Sequence, residues 1–212
     1  MDELKEEGNV HFRAQRWEQA LVAYRTALGR LPKRQKVPEP KPVQLDDDDG
    51  AQQEEETESA PEPSPEDPEL VKTRAVLNAN IGACYVKLND DKLAVEACTE
   101  ALLDDPNYVK ALQRRAASNE KIGSWSALTS AQEDYTTLLK LLPAGDAATR
   151  QIERNQVQLK PRLEAAQKKE TDEMLGKLKG IGNSILGNFG LSTDNFQFVP
   201  NGEGGYSMNF TR

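Results

Sequence analysis

The stretch WEQALVAYRTALGRLP, residues 17–32, contains a pattern that the chain repeats twice more. Its key positions are Ala20, Tyr24, Ala27 and Pro32, separated by 4, 3 and 5 residues. The same spacings return at Ala94, Cys98, Ala101 and Pro106, and again at Ala131, Tyr135, Leu138 and Pro143. Small residues seven positions apart share one helix face and let a neighbouring helix approach closely. The chain therefore predicts three similar helices, each followed by a proline that ends it.

A second helix-like stretch precedes each copy of this pattern. Its small residue is Gly8, Gly82 or Ala116. Each unit therefore predicts a helix pair. The copies lie 74 and 37 residues apart, which corresponds to a period of about 34 with insertions of roughly 40 and 3 residues. The three extra residues lie near Trp125, so the sequence does not determine the form of the turn between the two helices of the third pair.

The set Gly8, Ala20, Tyr24, Ala27 and Pro32 resembles the pattern of tetratricopeptide repeat (TPR) proteins. The resemblance implies an all-α, helix-turn-helix solenoid of three repeats, with a C-terminal capping helix, a long acidic insertion and a small tail with a possible β-hairpin. The expected boundaries are 1–32 for repeat 1, 33–67 for the insertion, 68–108 for repeat 2, 109–143 for repeat 3, 144–178 for the capping helix and 179–212 for the tail.

The insertion explains the uneven charge of the chain. The 212 residues have a net charge of −8, but residues 33–70 alone contain 13 acids against 4 bases and seven of the twelve prolines. Such a segment buries too little apolar surface to offset its ordering entropy, so it predicts a disordered loop between repeats 1 and 2. The acidic runs Asp46 to Asp49 and Glu54 to Glu56 could also compete for a nearby positive site.

The C-terminal part predicts a polar capping helix followed by a glycine-punctuated apolar tail. Pro161 should kink or restart the helix. Alternating apolar residues on either side of Asn201 to Gly205 are typical of a hairpin, and the tail predicts a short helix before it. The tail sequence FGLSTDNFQ, residues 189–197, resembles the C-terminal end of the tetratricopeptide repeat protein 1 family, in its fungal members.

Five polar residues occupy matching places on the first helices of the repeats: Lys5, Asn9, Asn80, Lys110 and Arg114. The lysines lie one helical turn before Asn9 and Arg114, so each pair shares a helix face. The set resembles the two-carboxylate clamp of TPR co-chaperones. That resemblance implies binding of the C-terminal Glu-Glu-Val-Asp peptide of heat-shock chaperones of the seventy- and ninety-kilodalton classes. The alternative is that these five are ordinary polar residues on solvent-exposed helix faces, where single residues of these types are common.

Neighbouring residues are candidates either for contacting an apolar side chain of the peptide or for the interhelix core: Phe12, Leu77, Cys84, Gln113 and Ala117. Cys84 and Cys98 lack the spacing of a metal site or a redox pair, which predicts buried thiols.

The remaining motifs favour a binding protein over an enzyme. One histidine, His11, has no paired nucleophile. The sequence contains no phosphate-binding glycine loop, no clustered metal ligands, no basic aromatic surface for nucleic acid and no apolar run long enough to span a membrane. We therefore expect no cofactor, and a cytoplasmic location, with the nucleus as an alternative. A structural scaffold that binds a client protein through the repeats or the tail is the competing hypothesis.

Overall fold

The computed structural model describes residues 2–34, 66–200 and 206–210. Its helices are α1 Asp2–Arg13, α2 Trp17–Gly29, α3 Pro68–Leu88, α4 Asp91–Asp104, α5 Val109–Ile122, α6 Trp125–Leu141 and α7 Ala147–Gly187. A short 3₁₀ turn, Thr193–Asn195, precedes the strands β1 Phe196–Pro200 and β2 Tyr206–Phe210. The chain divides into two compact units, Met1–Ser118 and Asn119–Arg212.

The small residues of the first two repeats are explained by close contact inside the helix pairs α1–α2 and α3–α4. A Cβ added to Gly8 would lie 2.5 Å from the ring of Tyr24, and one added to Gly82 would lie 2.6 Å from Sγ of Cys98. Helix ends follow local chemistry as well. At the start of α3, Oδ1 of Asp67 accepts a hydrogen bond from the Glu69 amide at 2.9 Å. The helix pairs predicted from the repeated pattern are therefore confirmed.

The first unit has one core that runs directly from repeat 1 into repeat 2. The buried cluster combines residues of α2, α3 and α4 with Leu31, which follows α2: Ala20, Tyr24, Ala27, Leu31, Leu77, Ile81, Cys84, Tyr85, Ala94 and Ala97. Helix α2 thus packs on α3 although 38 residues separate them in the chain. The insertion between them does not keep repeats 1 and 2 apart. The disorder predicted for the insertion, 33–67, falls mostly on residues 35–65, which lie outside the described residues.

A buried carboxylate holds the two ends of this insertion. The Asp104 side chain is 2% exposed and accepts hydrogen bonds from Arg34 Nη2 and Arg74 Nη2, both at 2.8 Å. Arg34 and Glu66 are the described residues of the insertion that border positions 35–65, and Arg74 also pairs with Glu66. The two flanks of the insertion therefore meet at the C-terminal end of α4.

The second unit contains α6, α7 and the tail. The turn before α6 has only two residues, Gly123 with φ +71° and the N-cap Ser124. The three extra residues of this repeat lengthen the start of α6 by nearly one turn, because α6 begins six residues before Ala131 whereas α2 begins three before Ala20. Leu138, which replaces a small residue, is completely buried.

Helix α7 differs from the prediction in where it ends. It runs to Gly187 rather than ending at 178, so the expected short helix of the tail is the end of α7. Of the two outcomes predicted at Pro161, a kink or a restart, the restart does not occur, because α7 continues through this residue. A proline removes one backbone hydrogen bond, and Pro161 lies on an exposed part of the helix, where water can satisfy the freed carbonyl. The predicted hairpin is confirmed, with Phe198 paired antiparallel to Met208.

Candidate functional site

Helices α1, α3 and α5 each contribute one predicted site residue to a single cavity in the first unit. Asn9, Asn80 and Arg114 line this cavity, whose volume is about 240 Å³. Its remaining lining residues are Phe12, Arg13, Tyr24 and Ala83. Asn9 and Arg114, more than a hundred positions apart, thus line one cavity, because repeats 1 and 2 pack directly and Arg114 of repeat 3 bonds to the Ala79 carbonyl of α3. We call this the first-helix cavity.

The side-chain amide of Asn9 is held in one orientation. Its Oδ1 accepts a hydrogen bond from the Tyr24 hydroxyl at 2.8 Å, which leaves Nδ2 to donate to Oε2 of Glu6 at 3.0 Å. Burial raises the pKa of Tyr24 to about 12, so the phenol is a neutral donor at physiological pH. Asn9 therefore presents its N–H donors toward a carboxylate, and here that carboxylate belongs to the chain itself.

Glu6 and Arg13 form an ion pair beside this amide. Nη2 of Arg13 donates to Oε1 of Glu6, and Nε of Arg13 donates to the Asn9 carbonyl at 3.3 Å. The hydrogen bonds from Asn9 and Arg13 lower the pKa of Glu6. The rim of the cavity thus shows how its donors pair with an ionised carboxylate.

Arg114 is anchored by the middle helix. Its Nη1 donates to the Ala79 carbonyl at 2.8 Å, and the side chain is half-buried. A guanidinium has five N–H donors in a planar fork, so this bond fixes its direction and leaves donors for a ligand. Asn80 lies directly after Ala79 in the chain, which brings its amide beside the cation in the same cavity.

The two predicted lysines lie outside the cavity lining. Each is one helical turn N-terminal to a lining residue, Lys5 before Asn9 and Lys110 before Arg114. Lys5 Nζ is 3.4 Å from Oδ1 of Asp2, and Lys110 is exposed. As point charges they add positive potential next to the cavity rather than fixed hydrogen bonds.

The five groove candidates separate into three groups. Phe12 lines the cavity and packs edge-to-face on Trp17, with 4.9 Å between ring centroids. Leu77 and Cys84 are 0% exposed and belong to the interhelix core, the second of the two roles predicted for them, and not to the groove. Their side of α3 is covered by the neighbouring helices. Gln113 and Ala117 are exposed on α5 and lie outside the cavity lining.

Sequence reasoning missed Glu6, Arg13 and the second role of Tyr24. Arg13 could have been found from its spacing, because it follows Asn9 by one helical turn. Tyr24 already had a packing role as part of the repeat pattern, and only the coordinates show its hydroxyl on Asn9. Both cysteines are buried and neither is in a disulfide. In the part of the chain that the structure describes, no cluster of side chains is suited to a metal ion and no helix could cross a membrane.

Comparison with known proteins supports a TPR fold. No protein-family model matches the chain. FK506-binding protein 59 of Drosophila melanogaster is 37% identical over 84 residues, which is 40% of this chain and 18% of that protein. The chain thus matches only about a fifth of that relative's length.

Two solved structures extend the comparison. The crystal structure of yeast Tom70 is 25% identical, covers 80% of this chain and 25% of its own, and has a TM-score of 0.52. The structure of the Hsp90 co-chaperone Cns1 from Saccharomyces cerevisiae is 17% identical, covers 92% of this chain and 49% of its own, and has a TM-score of 0.50, a similarity of fold. The chain has the TPR-repeat fold, while its narrower resemblance to the tetratricopeptide repeat protein 1 family stays a prediction.

Proposed function

We propose that this chain is a non-enzymatic adaptor that binds the C-terminal carboxylate end of an acidic peptide in the first-helix cavity. The observation that carries the proposal is the convergence of Asn9, Asn80 and Arg114 from three helices on one cavity. Each residue supplies N–H donors, and two of the three are already held in place by Tyr24 and the Ala79 carbonyl.

A peptide ending in aspartate suits this arrangement because it offers two carboxylates close together. The guanidinium of Arg114 can donate to one of them in a fork, and the amides of Asn9 and Asn80 can donate to the other. Lys5 and Lys110 then act as nearby point charges. Hydrogen bonds to charged groups contribute about 1.5 to 3 kcal/mol each before association costs. Binding of a short peptide should therefore reach the micromolar range, about −8 kcal/mol.

The proposed partners are heat-shock chaperones of the seventy- and ninety-kilodalton classes, whose tails end in Glu-Glu-Val-Asp. This proposal combines the cavity with the resemblance of its five polar residues to the clamp of TPR co-chaperones. A cytoplasmic location, with the nucleus as an alternative, is part of the same proposal. Because the chain matches small parts of its relatives, its activity as a co-chaperone is likewise part of the proposal.

The test is a titration of a labelled peptide ending in Glu-Glu-Val-Asp. Arg114→Ala should weaken binding at least ~10-fold, since it removes a charge-assisted donor from the cavity. Lys110→Ala should weaken it less, because Lys110 is exposed and outside the lining. The matched control is Gln113→Ala, which truncates an exposed residue of the same helix and should change affinity by less than about twofold. Equal affinity across all four proteins would reject the cavity as the binding site.

A scaffold that holds a client protein through its tail is the second candidate, favoured by exposed apolar residues on α7. Leu178 and Ile181 are 64% and 61% exposed. Deletion of residues 176–212 separates the two functions. A carboxylate-binding cavity keeps its chaperone without the tail, whereas a tail-dependent scaffold loses its partners. Co-purification of partners with the full-length and shortened chains gives the answer.

A further inference from the structure

The first-helix cavity contains a second arginine that the proposed carboxylate site does not use. Arg13 from α1 and Arg114 from α5 both line the cavity, and none of the described residues that line it is acidic. Arg114 is half-buried and anchored to the Ala79 carbonyl at 2.8 Å. Arg13 is exposed, and its bonds run to two residues of its own helix, Glu6 and Asn9. The two guanidinium groups therefore differ in how easily they can change partners.

The ion pair between Arg13 and Glu6 is open to exchange. The side chains of Arg13 and Glu6 are 68% and 59% exposed. An ion pair this exposed contributes little to stability, because water solvates both charges when the pair opens. The bonds from Nη2 to Glu6 and from Nε to the Asn9 carbonyl use two of the five N–H donors of Arg13. A carboxylate from a ligand can therefore take the place of Glu6 on this guanidinium.

The wall that α1 contributes to the cavity extends from Asn9 toward the C-terminal end of the helix. Asn9, Phe12 and Arg13 line the cavity. Residues three and four positions after Asn9 share its helix face. Lys5, one turn in the opposite direction, lies outside the lining. A peptide whose terminus is held at Asn9 would therefore continue along α1, past Phe12, toward Arg13.

The length of an extended peptide fits this path. Arg13 lies one helical turn beyond Asn9, which is a rise of about 6 Å. In an extended chain, alternate side chains lie on the same side, and two residues span about 7 Å. When Asn9 and Arg114 hold the terminal residue, the side chain two residues before it therefore reaches Arg13. In Glu-Glu-Val-Asp, this side chain belongs to the glutamate directly before valine.

We propose that Arg13 is a specificity-determining residue, which exchanges Glu6 for an acidic side chain two residues before the peptide terminus. This inference rests on the proposed function, which puts the terminus in the same cavity, and it adds a second anion subsite to that cavity. The ligands are then peptides that combine a free acidic C-terminus with an acidic side chain at this spacing. An acidic terminus alone is a weaker ligand.

Titration of three labelled peptides against the wild type and Arg13→Gln tests the proposal. The peptides end in Glu-Glu-Val-Asp, Glu-Gln-Val-Asp and Gln-Glu-Val-Asp. Arg13→Gln should weaken binding of the first and third peptides by about three- to tenfold, and binding of the second by less than about twofold. An equal loss for all three peptides would overturn the proposal. A loss that depends on the first glutamate, rather than on the glutamate directly before valine, would overturn it as well.

Two control proteins separate a contact with Arg13 from a general effect of charge. Arg16→Gln removes the same charge from an exposed residue between α1 and α2 that does not line the cavity. It should weaken binding of each peptide by less than about twofold. The titrations are then repeated in a Glu6→Gln protein, which lacks the carboxylate that Arg13→Gln leaves unpaired. The difference between the peptides should persist there, and its disappearance would mean that repulsion from Glu6 had produced it.

Arg114→Ala separates the failure of this inference from the failure of the proposed function. If Arg114→Ala weakens binding of the first peptide while Arg13→Gln acts equally on all three, the cavity binds the terminus and only the role of Arg13 is wrong. If the wild type binds none of the peptides, or Arg114→Ala changes nothing, the proposed function is wrong and this inference fails with it. Circular dichroism confirms that all variants remain folded.

Discussion

At the scale of single residues, the cavity depends on side chains that hold other side chains. The Tyr24 hydroxyl sets which end of the Asn9 amide faces Glu6, and the Ala79 carbonyl sets the direction of the Arg114 guanidinium. A ligand then meets donors that are already oriented, which lowers the entropy lost on binding. Glu6 opposes peptide binding, since its carboxylate occupies hydrogen-bond donors of Asn9 and Arg13 that a peptide carboxylate would need.

Tyr24→Phe tests the orienting bond. The ring remains in the core, but Oδ1 of Asn9 no longer accepts a hydrogen bond from the Tyr24 hydroxyl, so the side-chain amide can rotate. We expect peptide affinity to fall by about three- to tenfold and the free energy of unfolding to fall by about 1 kcal/mol. Tyr85→Phe is the control, because Tyr85 belongs to the same core and does not line the cavity. An unchanged affinity in Tyr24→Phe would show that the Asn9 orientation is irrelevant to binding.

Glu6→Gln tests the competing carboxylate. The change removes a negative charge beside the cavity and frees Arg13, so affinity for the acidic peptide should rise by about two- to fivefold at low salt and less at high salt. Glu7→Gln removes the same charge one position along α1, where the side chain is 3.9 Å from His11 rather than at the cavity rim. Isothermal titration of both variants at two salt concentrations measures the difference in peptide affinity. Weaker peptide binding by Glu6→Gln than by the wild type would contradict the competition, because it would mean that Glu6 helps to build the site.

At the scale of elements, Asp104 determines how the acidic insertion is closed. Two arginines from different parts of the chain share its carboxylate. Burial alone would raise the pKa of Asp104, but the hydrogen bonds from Arg74 and Arg34 outweigh burial, so this pKa lies below its usual range. The contact fixes the end of α4 against both flanks of the insertion and supports the direct packing of repeats 1 and 2.

Asp104→Asn should therefore destabilise the protein by about 3 kcal/mol at neutral pH, since it leaves the buried Arg74 and the half-buried Arg34 without the anion that they share. Because the folded-state pKa is depressed, the stabilisation is present above the unfolded pKa of about 3.9 and disappears as pH falls through the folded value. The difference from wild type should narrow below about pH 4. Glu100→Gln, at a 55% exposed side chain, should cost less than about 1 kcal/mol. Urea unfolding at several pH values checks both, and a difference that grows on acidification would contradict the account.

At the scale of the whole molecule, periodicity predicted what depends on repeated local contacts. The spacing of Ala20, Tyr24 and Ala27 identified the repeated helices, because close packing requires small residues at the two alanine positions. The repeat register also brought Asn9, Asn80 and Arg114 into one site. The burial of Leu77 and Cys84 could not be assigned in the same way, because a residue beside the cavity and a residue one helix face away look alike in the sequence.

The features that sequence reasoning missed depend on contacts between distant residues or on competition between local preferences. The pairing of Arg34 with Asp104 spans 70 positions and follows no repeat. At Pro161, the residues on either side continue the helix, so the restart that was one of the two predicted outcomes does not occur. Tyr24 has two roles, since its ring packs in the core and its hydroxyl orients Asn9 in the site. A pattern of residue types predicts the first role and gives no sign of the second.

The most direct test of the central claim is a double-mutant cycle between the peptide terminus and Asn80. Peptides with a free and an amidated C-terminus are titrated against the wild type and Asn80→Ala. Asn80 is suitable because it lines the cavity from the middle helix, and Tyr24 does not hold it. If the cavity holds the terminal carboxylate, the two changes are coupled by at least about 1 kcal/mol. Asn80→Ala then weakens binding of the amidated peptide much less than binding of the peptide with a free C-terminus. If both peptides lose the same affinity, the terminal carboxylate binds elsewhere and the account is wrong.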